Sequence, residues 1–193
     1  PFRKELEEEF GPYLFKQIDM ALKCFDPKII EDLQLENKLV SKYNKVMASA
    51  KIKFEGGVYN LSQMGKFTTD VDRERRKKAS KAVAKFFEKH HEEIGQIYDD
   101  LVHTRDNMAK KLGFKNYVEL GYMRLGRCDY NAEMVANYRK QVEKVLVPVW
   151  KKLYKRQMKR IHIRNPRFYD MGLNFLSGNP TPIGNPEYLV SKA

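Results

Sequence analysis

A chain of 193 residues with 42% hydrophobic and 32% charged side chains has the composition of a globular domain, or part of a larger one, with enough apolar material for a sizeable core. No apolar run approaches the roughly 20 residues of a membrane-spanning helix, no signal peptide opens the sequence, and two cysteines, Cys24 and Cys128, are too few for a disulfide framework. This excludes a membrane protein and a disulfide-stapled secreted scaffold, and predicts a cytoplasmic one. The net charge of +12 lies mostly in the last third, where residues 113–193 carry 15 basic and 6 acidic side chains.

Helical spacing dominates, so the expected fold class is all-α: a multi-helix array of long antiparallel helices with one small β-hairpin at about residues 51–62. A first helix over residues 2–10 carries the acidic run Glu7-Glu8-Glu9 and breaks at Gly11-Pro12. A second runs over residues 13–25, with Leu14, Ile18, Ala21 and Leu22 on one side. Asp26 as cap and Pro27 at the first position start a third. Ile30, Leu33, Asn37, Val40, Tyr43 and Met47 form its expected inner face, and it ends near Ala50. The period then changes: Ile52 and Phe54 alternate with lysines, Gly56-Gly57 suits a tight turn, and Val58, Tyr59 and Leu61 follow. No Lys-Ser/Thr follows the glycines, so a phosphate loop is not supported.

Asp70 is the expected cap of a long helix that Gly113 closes, with Val83, Phe87, Ile94, Ile97, Leu101, Met108 and Leu112 on its buried face. Arg73, Arg75, Arg76, Lys77 and Lys78 crowd its first turns, where the helix dipole favours acids; Asp70, Asp72 and Glu74 are the partners near in sequence. His91-Glu92-Glu93-Ile94-Gly95 opens like a zinc-binding His-Glu-x-x-His but has glycine where the second imidazole belongs. Glu92, Gln96, Asp99, His103 and Asp106 form a polar stripe about opposite Ile97 and Leu101, read as a hydrated surface and not a metal site. Neither cysteine has a histidine near in sequence, and Ser177 lies in a Gly/Pro-rich loop that is no nucleophile elbow. No catalytic and no metal-ligating residue is assigned.

Residues 116–131 concentrate the chemistry: three aromatics, two arginines, two carboxylates and two glycines. Tyr117, Leu120 and Met123 have the spacing of a short helix's inner face, while Gly121 and Gly126 allow close approach or a sharp exit. Arg124 and Arg127, three apart, could hold a carboxylate or phosphate on one face. In the alternative they pair with Asp129 and Glu119 in a purely structural corner. A last helix starts at the cap Asn131 and reaches about Ile161, with Pro148 expected to kink it. Its apolar stripe is Val142, Val145, Leu146, Val149, Trp150, Leu153 and Tyr154, and the cations from Lys151 to Arg160 fall off it. His162 follows as a C-terminal cation. Beyond Arg164 the chain reads as extended, anchored by Phe168, Tyr169, Leu173 and Phe175.

The string from Gly121 to Asn131, Gly-Tyr-Met-Arg-Leu-Gly-Arg-Cys-Asp-Tyr-Asn, resembles the Gly-Tyr-x-Arg-x-Gly-Arg-x-Asp-Tyr segment of the oligoendopeptidase F family of zinc metallopeptidases. The likeness extends from Pro1-Phe-Arg-Lys-Glu-Leu through Glu31-Asp-Leu-Gln-Leu-Glu-Asn-Lys-Leu and Ala48-Ser-Ala-Lys-Ile to Gly178-Asn-Pro-Thr-Pro, nearly the whole chain. The family's His-Glu-x-x-His occurs nowhere in the 193 residues. The resemblance therefore implies an internal segment, upstream of that motif, of a cytoplasmic zinc oligoendopeptidase that hydrolyses short peptides. Residues 1–130 would form a helical channel-wall part with the hairpin. Residues 131–193 would form a long kinked helix and a loop leading into the catalytic part, a partner in the same protein. Zinc is expected in the full-length enzyme and not in this segment, which is expected to be inactive alone. Tyr122, Arg124, Arg127, Asp129 and Tyr130 are the residues implied to line or brace the substrate channel. The alternative is a helical binding module using the basic 151–167 face for nucleic acid or a protein partner. No base-stacking motif or zinc finger accompanies that face, so nucleic acid is the lesser reading, and no membrane partner is expected.

Overall fold

The computed structural model describes residues 2–193. Helices Arg3–Phe10 (α1), Tyr13–Lys23 (α2) and Ile30–Ala48 (α3) precede strands Ile52–Phe54 (β1) and Gly57–Tyr59 (β2). The one-turn helix Gly65–Thr68 (α4), the 39-residue Arg73–Lys111 (α5), Tyr117–Arg124 (α6), Ala132–Gln141 (α7), Val147–Arg160 (α8) and Pro186–Lys192 (α9) follow. The fold is all-α with one small antiparallel hairpin. The chain forms two compact units, Pro1–Met47 with His90–Leu146 and Ala48–Lys89 with Val147–Ala193. The division by role at residues 130/131 does not coincide with these units. No helix is long and apolar enough to cross a membrane among the described residues.

In the first unit, Ile29, Met108, Ala109 and Leu120 are fully buried, with Leu33, Leu112, Phe114 and Tyr117 packed on them. Local chemistry sets the helix ends as expected. Asp26 accepts the Lys28 N–H and Pro27 opens the turn into α3. At the end of α5, the Gly113 N–H reaches the Lys110 carbonyl and the Phe114 N–H that of Ala109, a Schellman closure with Phe114 laid against the core.

The inner face of α3 differs from the expected one. Ile30, Val40 and Tyr43 are exposed, as is Asn37, and the buried positions are Asp32, Glu36, Leu39 and Val46. Two carboxylates face inward because α5 and α6 supply their partners. Asp32 accepts from Asn107 Nδ2 at 2.8 Å and from Lys111 Nζ. Glu36 accepts from Arg105 Nε at 2.7 Å and from Arg124 Nη1 and Nη2 at 3.2 and 2.7 Å. Burial alone would raise both carboxyls; the hydrogen bonds from Arg124 and Arg105 on Glu36, and from Lys111 and Asn107 on Asp32, outweigh it and hold them below the usual carboxylate range.

In the second unit, Ile52, Met64, Phe67 and Ala79 form the core, with Phe54, Tyr59, Val83 and Phe86 against them. The inward aromatic of α5 here is Phe86; Phe87, expected inside, is 39% exposed. The hairpin pairs Ile52 with Tyr59 and Phe54 with Gly57, so its turn is Glu55-Gly56, one residue before the expected Gly56-Gly57. Both turn residues have positive φ, 45° and 78°, the signature of a type I′ turn. Glu55, with its Cβ, is held there by Arg75, whose Nε and Nη2 donate to its carboxylate at 2.7 to 3.1 Å.

The start of α5 also corrects the expectation. Asp72 is the cap, accepting the N–H groups of Glu74 and Arg75, while Asp70 accepts from Asp72 one step earlier. The arginines that crowd this turn have a remote partner. Asp170, fully buried, accepts from Arg73 Nε and Nη2 at 3.0 and 2.8 Å, Arg76 Nη2 at 3.0 Å and the Arg167 N–H at 2.9 Å. Arg76, 1% exposed, spends its other donors on the carbonyls of Asp70, Val71 and Tyr169. The tail is thus anchored by Asp170 and Leu173, while Phe168 and Phe175 are exposed.

Around Pro148 the helix takes a π-helical turn, Val142–Leu146, between α7 and α8. A proline gives no N–H to the preceding turn and its ring presses on the carbonyl four residues back, and a widened turn relieves both. The expected apolar stripe is not the covered face: Val145, Leu146, Val149, Trp150 and Leu153 are each about half exposed. The residue α8 buries is Met158, which packs with Ile161 and Leu173. At its end His162, with φ 58°, occupies the left-handed position, its N–H on the Lys159 carbonyl and the Ile163 N–H on that of Met158. This is the same closure as at Gly113, made without a glycine.

Candidate functional site: a cavity behind α6

The chemistry-rich stretch folds as a short helix and a tight exit. Asn116 caps α6 by accepting the Val118 N–H, and Leu120 roots it in the core. After Arg124 the Gly126 N–H bonds the Met123 carbonyl and the Arg127 N–H bonds that of Tyr122, again a Schellman closure. Gly126 has φ +66°, a conformation that favours glycine, and a Cβ there would sit 3.2 Å from Gln17 Oε1, so that side chain would have to yield slightly. Gln17 Nε2 donates to the Gly126 carbonyl at 3.1 Å, which ties α2 to this turn.

The closure throws the two arginines in different directions. Arg124 turns to α3, gripping Glu36, and its Nη1 also donates to the Tyr117 hydroxyl at 3.0 Å. Arg127, brought back against the residue whose carbonyl it bonds, lies over the ring of Tyr122 at 4.9 Å and near that of Tyr130 at 5.9 Å. The two rings meet edge to face at 6.2 Å. They wall a cavity of about 590 Å³ that Met20, Val118 and Met123 make largely apolar and Lys115, Glu119 and Cys128 make partly polar. A second cavity of about 450 Å³, lined by Met134, Val135 and Tyr138, shares the Arg127 and Tyr130 wall.

Of the five residues singled out in the sequence, Tyr122, Arg127 and Tyr130 come together here. Arg124 and Asp129 do not line the cavity: Arg124 braces α6 on α3, and exposed Asp129 sits 3.6 Å from Lys16 of α2. Neither expected arrangement of the arginines holds. They do not form a joint anion clamp, and neither pairs with Asp129 or Glu119. Glu36 and Arg105, which position Arg124, lie 88 and 19 residues away, beyond the reach of local spacing; Asp32 and Glu36 one turn apart are the available signal.

The thiols and histidines do not build a reactive centre. Burial pushes the Cys24 thiol up against the opposing pull of Arg124, which makes it a poor nucleophile. His103 is exposed, with Nδ1 2.9 Å from the Asp99 carbonyl. No group of three or more His, Cys, Asp or Glu side chains converges on a common point among the described residues. The described side chains therefore do not fit a zinc ion.

No protein-family model matches the chain, and no curated protein does. Solved structures do. PZ peptidase A, solved with an inhibitor, is 51% identical with a TM-score of 0.94, over 99% of this chain and 34% of that one. A structure described as oligoendopeptidase F is 49% identical with a TM-score of 0.94, over 99% and 34%. Another, from Bacillus anthracis str. Ames, is 49% identical with a TM-score of 0.91, over 99% and 35%. This chain belongs to the oligoendopeptidase F family. It spans about a third of the length of the solved chains it matches. Several strings that carry the likeness have structural work in this family member. Asp32 and Glu36 are the buried carboxylates of α3, and Asn179 holds the Gly178-Asn-Pro turn, accepting the Asn174 N–H and donating to the Gly172 carbonyl, both at 2.7 Å.

Proposed function

We propose that this chain forms part of the peptide-enclosing wall of a cytoplasmic zinc-dependent oligoendopeptidase, and that alone it cleaves nothing. The observation that carries the reading is the paired cavity walled by Tyr122, Arg127 and Tyr130, in a chain half identical to solved peptidases. Its mostly apolar lining with a few placed polar groups is that of a small-ligand site. Tyr122, Arg127 and Tyr130 would touch peptide; Arg124, through Glu36, and Asp129, through Lys16, would hold the turn that presents them. Zinc would come with the rest of the enzyme, since among the described residues no three metal-ligating side chains converge, and short peptides would be selected by enclosure. The exposed side chains of Trp150, Leu153 and Leu176 would pack on that same remainder.

The test is peptidase assay of the purified 193-residue chain with internally quenched peptides, with and without zinc, and again after co-expression with the remaining sequence of its gene. No cleavage alone and chelator-sensitive cleavage after reconstitution is the expected pair of results. Chelator-sensitive cleavage by the chain alone overturns the reading.

A second reading rests on α8, where Lys151, Lys152, Lys155, Arg156 and Lys159 are exposed and make no ion pair among the described residues. Binding of RNA or DNA that falls steeply with salt would favour it. Binding that is absent at moderate salt would remove it.

A further inference from the structure

We propose that the Arg127 guanidinium is a receptor for a peptide carboxylate, so that the cavity favours peptides presenting an acid at the wall between its two lobes. This rests on the reading of the cavity as a peptide site.

The argument starts from what Arg127 lacks. Arg73, Arg75, Arg76, Arg105 and Arg124 each meet a carboxylate at 2.6 to 3.0 Å. Arg127 meets none, and its guanidinium donates no hydrogen bond among the described residues, although it is half-buried. The rings of Tyr122 and Tyr130 engage its charge through their faces and leave its edge donors unused. A guanidinium edge matches a carboxylate with two parallel N–H donors. Charge agrees with this: Arg127 and Lys115 face the cavity with Glu119 as the only carboxylate of its lining, a surplus of one positive charge.

Position and preorganisation point the same way. Arg127 belongs to the wall of both cavities, so a carboxylate held there can send its chain into one lobe and a neighbouring side chain into the other. Met20, Met123 and Met134 give those lobes adaptable apolar surfaces. The closure at Gly126 fixes the Arg127 backbone and two rings fix its side chain, so little freedom is lost on binding.

The carboxylate could be a C-terminus or an Asp or Glu side chain, and three probes separate these. Acetyl-Ala-Ala-Phe acid, its amide, and acetyl-Ala-Glu-Phe amide are titrated calorimetrically into the 193-residue chain, the Arg127→Gln variant and the Arg127→Lys variant, each checked for its melting curve. A charge-assisted pair predicts that the acid binds about ten- to a hundredfold more tightly than the amide. Arg127→Gln should abolish that ratio, and Arg127→Lys should keep part of it. A glutamyl amide that binds like the acid identifies a side-chain carboxylate as sufficient, and one that binds like the plain amide assigns the C-terminus. Equal binding of all three probes to the unaltered chain overturns the carboxylate receptor and leaves the peptide site standing. Binding of none of the three overturns both. Should Arg127→Gln unfold, the acid-to-amide ratios of the unaltered chain and Arg127→Lys still decide.

Discussion

Asp170→Asn should be the most damaging single-atom change available in this chain. The carboxylate is fully buried and accepts four hydrogen bonds, two from Arg73, one from Arg76 and one from the Arg167 backbone. Asparagine keeps the shape, removes the charge and places an NH₂ where two guanidinium groups already point donors. Arg76, itself 1% exposed, would be left as a buried cation without its counter-charge. Breaking a buried pair from one side costs about 3–5 kcal/mol. For a chain of this size, at about 2–4 °C per kcal/mol, that is a melting point lower by about 6–20 °C. Circular dichroism melts and urea titration measure it, with the exposed Glu187→Gln as control. The sign with pH also follows. Burial alone would raise the Asp170 carboxyl, but the hydrogen bonds from Arg73, the Arg167 backbone and Arg76 keep it below the usual range. Its contribution is complete above the unfolded value of about 4 and is lost as pH falls through the folded value. The parent should therefore lose stability on acidification below about pH 4 more steeply than Asp170→Asn does. A shift in melting point of under about 2 °C would mean that the network contributes little, and the account of the tail's anchoring would fail.

Glu36→Gln should destabilise the first unit by about 2 kcal/mol, less than Asp170→Asn because Arg105 and Arg124 keep 37% and 27% of their side-chain surface in water to screen the stranded charge; urea midpoints compare the two. His162→Gly should raise stability by up to about 1 kcal/mol, since φ 58° strains a residue with a Cβ, partly offset by glycine's greater chain entropy; a lower urea midpoint would show that the His162 side chain contributes more than its backbone costs. Gly126→Ala should cost about 1–2 kcal/mol through the left-handed backbone and the crowding of Gln17, and the altered exit of α6 should weaken peptide binding at Arg127 beyond what Arg127→Lys does; calorimetry with the acid probe checks it.

What the sequence made legible is what local chemistry decides. Asp26 and Asn131 cap helices because their side chains reach N–H groups two or three residues on, and Gly113 and Gly126 end them for an equally local reason. The misreadings share one cause, which is that polar burial is decided at long range. Apolar spacing predicts an inner face of α3 on Ile30, Leu33, Val40 and Tyr43, whereas the face that turns in carries Asp32 and Glu36. Their inward orientation is favourable only because Lys111, Arg105 and Arg124 stand 69 to 88 residues further on. The crowding of arginines at the start of α5 looked unfavourable by helix-dipole reasoning until Asp170 arrived from 94 and 97 residues away.

The same distinction bears on the two arginines of the family string. Three residues apart on an ideal helix they should act together, and only Gly126 between them hints that the helix does not run that far. The helix stops at Arg124, and the left-handed step at Gly126 spends the two residues between them on reversing the chain. Arg124 thereby becomes a brace, satisfied by Glu36, and Arg127 becomes a cation held by aromatic rings with no acid of its own. A protein that pairs its buried Arg76 and its partly exposed Arg73, Arg75, Arg105 and Arg124 with carboxylates has the means to pair Arg127 as well; Glu119 and Asp129 both lie within eight residues of it. That neither does so is why the unmet half of that pair is sought in the ligand.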